Sequence, residues 1–307
     1  MIAKLAAICC TLILISSPNS ATAVENGTDA SNDPNAVMID GGYSGFLYAP
    51  RIVLTVAHGL EYGQTKDAVR RIEYPGKIAT YGTFPTKNYV ETVKIFWAPN
   101  YQSRTSTNWA RIDDFAVMVL ASPMEMKNKV RIANAEDIEK YLENRTPVKM
   151  IGYGRQKDRR IPGLENNFPV TPHELTSRIL SDEESNFIKR GLPPGVVFTS
   201  DINFQQIAGQ ASVCDGDSGA GWFVEENGYR NYIGGVSSGW GNPNCGKDGI
   251  WDFNGALSGV SAAYRFMDLI KEAEKYLSQQ NVRQEERPGT FGLICICVMQ
   301  ETLAGSM

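Results

Sequence analysis

The residues most able to do chemistry lie in the stretch SVCDGDSGAGW, residues 212–222, where Ser218 stands between Asp217 and Gly219. A serine hydroxyl attacks a carbonyl carbon only when a base takes its proton. Alone, the stretch reads either as a tight surface turn or as a nucleophile displayed among backbone N–H groups. The choice depends on whether the chain supplies a base and an orienting acid. It contains only two histidines. His58 closes the β-type run RIVLTVAHGL. His173 sits in PVTPHELT, a Pro-bearing, turn-like segment, and is read as a surface residue. Acids for the third role stand at Asp113 and Asp114, at the head of the apolar run DDFAVMVLA.

These residues need a scaffold. From about Val37 the chain alternates short β-type runs with Gly, Pro and Asn: GFLYA, RIVLTVA, YVETVKIFW, DFAVMVLA, PVKMIGYG, GVVFTS, GWFVEE and NYIGGVSS. Strands at this frequency predict an all-β sandwich or barrel, and no strand–helix alternation of a doubly wound fold occurs. Two segments depart from this. NAEDIEKYLEN (134–144) reads as a surface helix, and YRFMDLIKEAEKYLSQQ (264–280) as an amphipathic one with Phe266, Ile270 and Leu277 on one face. A polar linker and the run FGLICICVM come after it, the run too short to span a bilayer. Residues 281–307 are therefore expected to be a C-terminal tail.

The chain of 307 residues is long enough to bury a large core. Its composition, 42% hydrophobic and 21% charged, is that of a soluble globular protein. A net charge of -4 argues against nucleic acid as a partner. The first residues, MIAKLAAICCTLILISSPNSATA, combine a lysine, an apolar run and an Ala-Thr-Ala step, the layout of a secretory signal peptide spanning 1–23. Secretion, or a periplasmic location in a bacterium, is expected, with no membrane span once the signal is removed. Cys9 and Cys10 leave with the signal, and Cys295 and Cys297 lie in the tail. In an oxidising compartment Cys214 and Cys245 are the disulfide candidates. The cysteines fit no compact zinc set and histidines are scarce, so neither metal nor cofactor is expected.

LTVAHGL resembles the Thr-Ala-Ala-His segment of chymotrypsin/trypsin-like serine proteases. DDFAVMVL resembles their Asp-Ile-Ala-Leu-Leu segment, and CDGDSGAGW their Gly-Asp-Ser-Gly-Gly-Pro loop. The three occur in the family's order. GYSGFLYAPRIVLT, VKIFWAPNY, MIGYGR and IGGVSSGW are similar to the intervening segments, so the resemblance covers roughly residues 24–280. It implies two six-stranded antiparallel β-barrels packed together, with a C-terminal helix and the site in the cleft between them.

The resemblance also implies roles. Ser218 would be the nucleophile, His58 the general base and Asp114 the residue that orients the imidazole. Asp114 is preferred to Asp113 because that register aligns the apolar residues with the family strand. The N–H groups of Gly216 and Ser218 would form the oxyanion hole. Asp217 would pair with a free α-amino group, here that of Val24, exposed directly by signal removal. Ser212 would floor the specificity pocket, with Ser237, Gly239 and Gly255 along it. An open, uncharged pocket favours large apolar or aromatic side chains. Asp248 or Asp252 entering it would instead give a trypsin-like preference. The cysteine that usually follows the histidine is Gly59, and its partner position is Tyr43, so that bridge is absent. Cys214–Cys245 would brace the pocket. The implied partners are protein or peptide substrates and protein inhibitors.

Two other classes compete with a secreted serine endopeptidase. One is a catalytically silent homologue that binds partners, which would usually lack a triad member. The other is a serine esterase. GDSGA does not complete Gly-x-Ser-x-Gly, and no histidine follows Ser218, as that layout requires.

Overall fold

Alternating side chains that are buried on both faces explain the strands of this protein. In Ala116–Leu120 all five residues are inaccessible. Ala116, Met118 and Leu120 join one apolar cluster, while Val117 and Val119 join another. A strand with both faces covered reads as a continuous apolar run. The computed structural model describes residues 24, 27–31, 33–40, 42–61, 71–73, 89–108, 110–155, 171–192, 194–195, 197–206, 211–240 and 256–285.

The strands in chain order are β1 (Thr28–Asp29), β2 (Ala36–Ile39), β3 (Tyr43–Ala49), β4 (Ile52–Thr55), β5 (Arg71–Glu73), β6 (Tyr89–Trp97) and β7 (Ala116–Leu120). They continue with β8 (Lys129–Ile132), β9 (Val148–Gly152), β10 (His173–Ser177), β11 (Ile202–Gln206), β12 (Gly221–Glu226), β13 (Tyr229–Trp240) and β14 (Ala256–Val260). The helices are α1 (His58–Glu61), α2 (Ala135–Glu143), α3 (Asp182–Lys189) and α4 (Met267–Glu285).

Strands β2-β3-β4-β7-β6-β5 close into a six-stranded barrel. The second sheet runs β1-β10-β9-β12-β13-β14-β11, with β8 added to β13. The segment after β10 meets β11 through an antiparallel bridge between Ile179 and Phe204. The two-barrel expectation therefore holds, with a correction to the second barrel. Among the described residues its sheet has eight strands rather than six, and β8 pairs with β13 in parallel.

Each sheet has its own interior. Val37, Leu47, Val53 and Met118 fill the first, and Met150, Phe204, Trp222 and Ile233 the second, where Phe204 and Trp222 stack at 4.2 Å. A third cluster joins the two. Phe46 of β3 packs on Phe223 of β12 and Tyr232 of β13, with ring centroids 5.5 and 5.0 Å apart. Phe266, in the 3-10 turn that leads into α4, and Ile270 and Ala273 of α4 seal this cluster, with Leu277 half-buried on the same side, as the helical spacing predicts.

Helix α2 begins where expected because Asn134 and Asp137 form a reciprocal capping box. Two expectations need correction. Among the described residues of GVVFTS a single bridge forms, Val197 to Asn108, and Phe198 packs among Leu180, Ile188 and Leu257 beneath α3. His173 is not a surface residue but opens β10, buried between β1 and β9, and burial lowers its pKa. The signal segment 1–23 and residues 286–307 lie outside the described residues, as do Cys245 and Gly255.

Candidate active site

The turn after β4 places His58 at the start of the one-turn helix α1, at the rim of the first barrel. Asp114 immediately precedes Phe115 and β7. Its approach is a tight turn in which Phe115 N–H donates to the Asp113 carbonyl at 2.9 Å. Asp113 has φ +48°, a left-handed conformation that turns its side chain toward Arg265, 2.8 Å away, while Asp114 faces inward. The backbone N–H of Asp114 donates to Ser261 Oγ at 2.9 Å. Ser218 comes from the second barrel, on the loop before β12.

Across the interface, Asp114 Oδ2 lies 2.6 Å from His58 Nδ1, and His58 Nε2 lies 2.8 Å from Ser218 Oγ. Asp114 Oδ1 accepts the His58 backbone N–H at 2.9 Å. The Ser237 hydroxyl donates to Asp114 Oδ2 at 2.6 Å. Burial pushes the Asp114 pKa up, but the facing His58 and the hydrogen bonds from His58 and Ser237 outweigh it and hold the carboxyl below its usual range. An ionised Asp114 accepts the Nδ1 proton, which leaves Nε2 as the lone-pair acceptor aimed at the serine. Such a chain can take a proton from a hydroxyl and return it to a leaving group.

The Ser218 loop is pinned to the first barrel. Ser44 N–H donates to the Ser218 carbonyl at 2.9 Å, and Ser44 Oγ to the Gly216 carbonyl at 2.8 Å. Gly216 has φ +96° and Gly219 +88°. At Gly219 a Cβ would lie 2.1 Å from the Ser44 carbonyl oxygen, so glycine is required there. Asp217, Gly219 and Ala220 donate their N–H groups to Cys214, Val236 and Asp217. The N–H groups of Gly216 and Ser218 have no acceptor among the described residues. Two unpaired donors amid paired ones beside a hydroxyl are the elements of an oxyanion site.

Asp217 is completely buried. It accepts Gly154 N–H at 2.7 Å and Cys214 N–H at 2.8 Å. Burial pushes its pKa up to about 7, against the pull of these two bonds. Gly152 and Gly154 make room for it: a Cβ on either would come within 2.2 Å of the carboxyl group. Val24 is likewise fully buried, in the same cluster as Ala220 and Trp222. Its φ of +53° is unusual for a β-branched residue.

Tyr43 occupies the space expected of the missing bridge. Its ring meets His58 edge-on, and a Cβ on Gly59 would lie 3.0 Å from it. Ser212 and Cys214 are buried. Gly239 lies in β13 opposite Ser258 of β14, whose buried hydroxyl has no partner among the described residues. Ser258 is the residue paired with Gly239, and the expected Gly255 lies outside the described residues. Ser237 carries a sharper task than pocket lining, since it holds the Asp114 carboxylate. Of the adjacent Ser237 and Ser238, it is the Ser237 hydroxyl, at a bulge of β13, that reaches Asp114.

Two barrels that bring a serine, a histidine and a buried aspartate together at their interface define a fold and site of the serine-protease class. The family model described as Trypsin matches residues 26–258. The chain belongs to the trypsin family, a family of serine proteases whose substrates are proteins. A comparison with curated proteins finds no match to the chain.

Proposed function

We propose that this protein is a secreted serine endopeptidase acting through Ser218, His58 and Asp114. The observation that carries this reading is the unbroken path from Asp114 Oδ2 through the imidazole to Ser218 Oγ, with links of 2.6 and 2.8 Å. Ser218 Oγ bonds to the scissile carbonyl carbon while His58 Nε2 takes its proton. The carbonyl oxygen gains negative charge between the Gly216 and Ser218 N–H groups. When the C–N bond breaks, His58 passes the proton to the departing amine and an acyl-enzyme remains. Water then repeats the sequence and restores the serine.

The protease domain is taken as residues 24–280, following a signal peptide at 1–23 and preceding a tail at 281–307. Among the described residues no helix is long and apolar enough to cross a membrane. Signal removal would free the Val24 α-amino group to pair with Asp217. The burial of both residues supports this, as does the φ of Val24, a torsion that ceases to exist once the bond to Ala23 is cut. Cys214 is proposed to pair with Cys245. An uncharged pocket at Ser212, Ser237, Gly239 and Gly255 is proposed to favour large apolar or aromatic residues before the scissile bond.

Reaction with a fluorophosphonate tests the mechanism. The mature protein is expected to be labelled, and Ser218→Ala and His58→Ala to lose the label. A correctly folded wild-type protein that takes none would be a silent homologue.

A further inference from the structure

We propose that Arg111 selects substrates by binding an Asp or Glu side chain close to the scissile bond. This deepens the protease reading and rests on it.

Arg111 stands shortly before Asp114 in the chain, and its side chain turns back into the cleft. Nη1 donates to the Ser237 carbonyl at 2.8 Å and lies 3.5 Å from Ser238 Oγ. Ser237 is the residue whose hydroxyl holds Asp114. The guanidinium is therefore one residue removed from the candidate triad.

The surface beside it suits an extended peptide. Strand β13 pairs with β12 only as far as Gly235, whereas its pairing with β14 continues to Trp240. From Ser237 to Trp240 one edge of β13 has no strand partner among the described residues. That edge starts next to the nucleophile loop, since Gly219 N–H donates to the Val236 carbonyl. A peptide can add to such an edge by main-chain hydrogen bonds while pockets and charges alongside read its side chains. Arg111 lies at the first residue of the open edge.

The charge balance leaves Arg111 available. Asp114 faces His58, and Asp113 faces Arg265, which also pairs with Asp201 at 2.6 Å. Among the described residues no carboxylate pairs with Arg111, and its Nε is enclosed without an acceptor. A guanidinium is a planar fork that matches a carboxylate and keeps its charge at all relevant pH values. Half-buried and without a counter-ion among the described residues, it gains more from a substrate carboxylate than from the corresponding amide. The competing explanation is a brace: Arg111 fixes the Ser237–Ser238 backbone and ignores the substrate's charge.

The test compares peptide libraries carrying Glu or Gln at each position flanking the scissile bond, cleaved by wild type, Arg111→Gln and Arg111→Lys. Rates are normalised to active sites by fluorophosphonate titration. At one of these positions wild type is expected to prefer Glu over Gln by roughly 10- to 100-fold in kcat/KM, the scale of a hydrogen bond to a charged group. Arg111→Gln should erase the ratio and Arg111→Lys retain part of it. No wild-type preference for Glu, or an equal loss on both peptides in Arg111→Gln, would overturn the proposal. If wild type is neither labelled nor active, the protease reading fails instead. Equilibrium binding of the same two libraries to wild type and Arg111→Gln then decides: discrimination that depends on Arg111 supports its role, and equal binding overturns it.

Discussion

Asp113 and Asp114 are identical in type and adjacent in the chain, yet they meet opposite surroundings. Asp113 takes a left-handed backbone and answers Arg265 at the foot of α4. Asp114 is enclosed with His58 and Ser237. Burial of an unassisted carboxylate would favour its protonated form, so each donor to Asp114 helps keep it charged. Ser237→Ala removes one of these donors and little volume. It is expected to lower kcat/KM by roughly tenfold, the scale of a hydrogen bond to a charged group. It should also raise the Asp114 pKa, since a donor that favours the charged form is lost. Steady-state kinetics check the first effect and an NMR titration of the Asp114 carboxyl the second. An unchanged carboxyl titration would show that Ser237 contributes nothing to the charge of Asp114.

At the scale of elements, the end of β9 and the Ser218 loop fit together through missing side chains. Gly154 leaves the space that the Asp217 carboxyl fills, and a Cβ there would lie 2.2 Å from its Cγ. Strand β9 is paired on both sides, with β10 and β12, so it has little freedom to withdraw. Gly154→Ala is expected to destabilise the protein by about 1–3 kcal/mol through overpacking, and to abolish most hydrolysis by displacing the oxyanion loop. Gly228, in the β12–β13 turn, has a positive φ but open space around it. Gly228→Ala should cost some stability while leaving turnover intact. Thermal melts and specific activities of the two variants separate the effects. Elements also explain where reading by pattern failed. GVVFTS has the apolar content of a strand but spends it beneath α3, and HELTS lacks that content yet is drawn into β10 by its neighbours.

For the whole molecule the decisive object is the interface between barrels. His58 and Asp114 come from one barrel and Ser218 from the other, and the Phe46–Phe223–Tyr232 cluster fixes their separation. Asp217 links this architecture to processing. With its pKa pushed up to about 7, the native carboxyl holds a proton that the unfolded one loses near pH 4. A chain still carrying residues before Val24 should therefore lose stability as pH rises from about 4 through 7, by on the order of 1 kcal/mol per pH unit. A free Val24 ammonium paired with Asp217 reverses the sign. The carboxyl pKa is then depressed, and its contribution is present above pH 4 and lost as pH falls through the lowered value. Melting temperatures of Ser218→Ala protein starting at Met1 and at Val24 should show opposite slopes over this range. Parallel slopes would sink the proposed pairing.

The sequence by itself determined the kinds of chemistry available and the class of fold. Only two histidines, a Gly-Asp-Ser turn and an acid before an apolar strand are local facts, and strand patterning follows from the period of the pleat. The tertiary structure decided which of two neighbouring serines holds Asp114, which residue faces Gly239, and that Arg111 bends back to Ser237. It also decided that Gly152 and Gly154 serve a carboxylate far along the chain. These are relations between segments joined by long connections. No local periodicity encodes them, because they arise only when two barrels pack and their loops compete for one cleft.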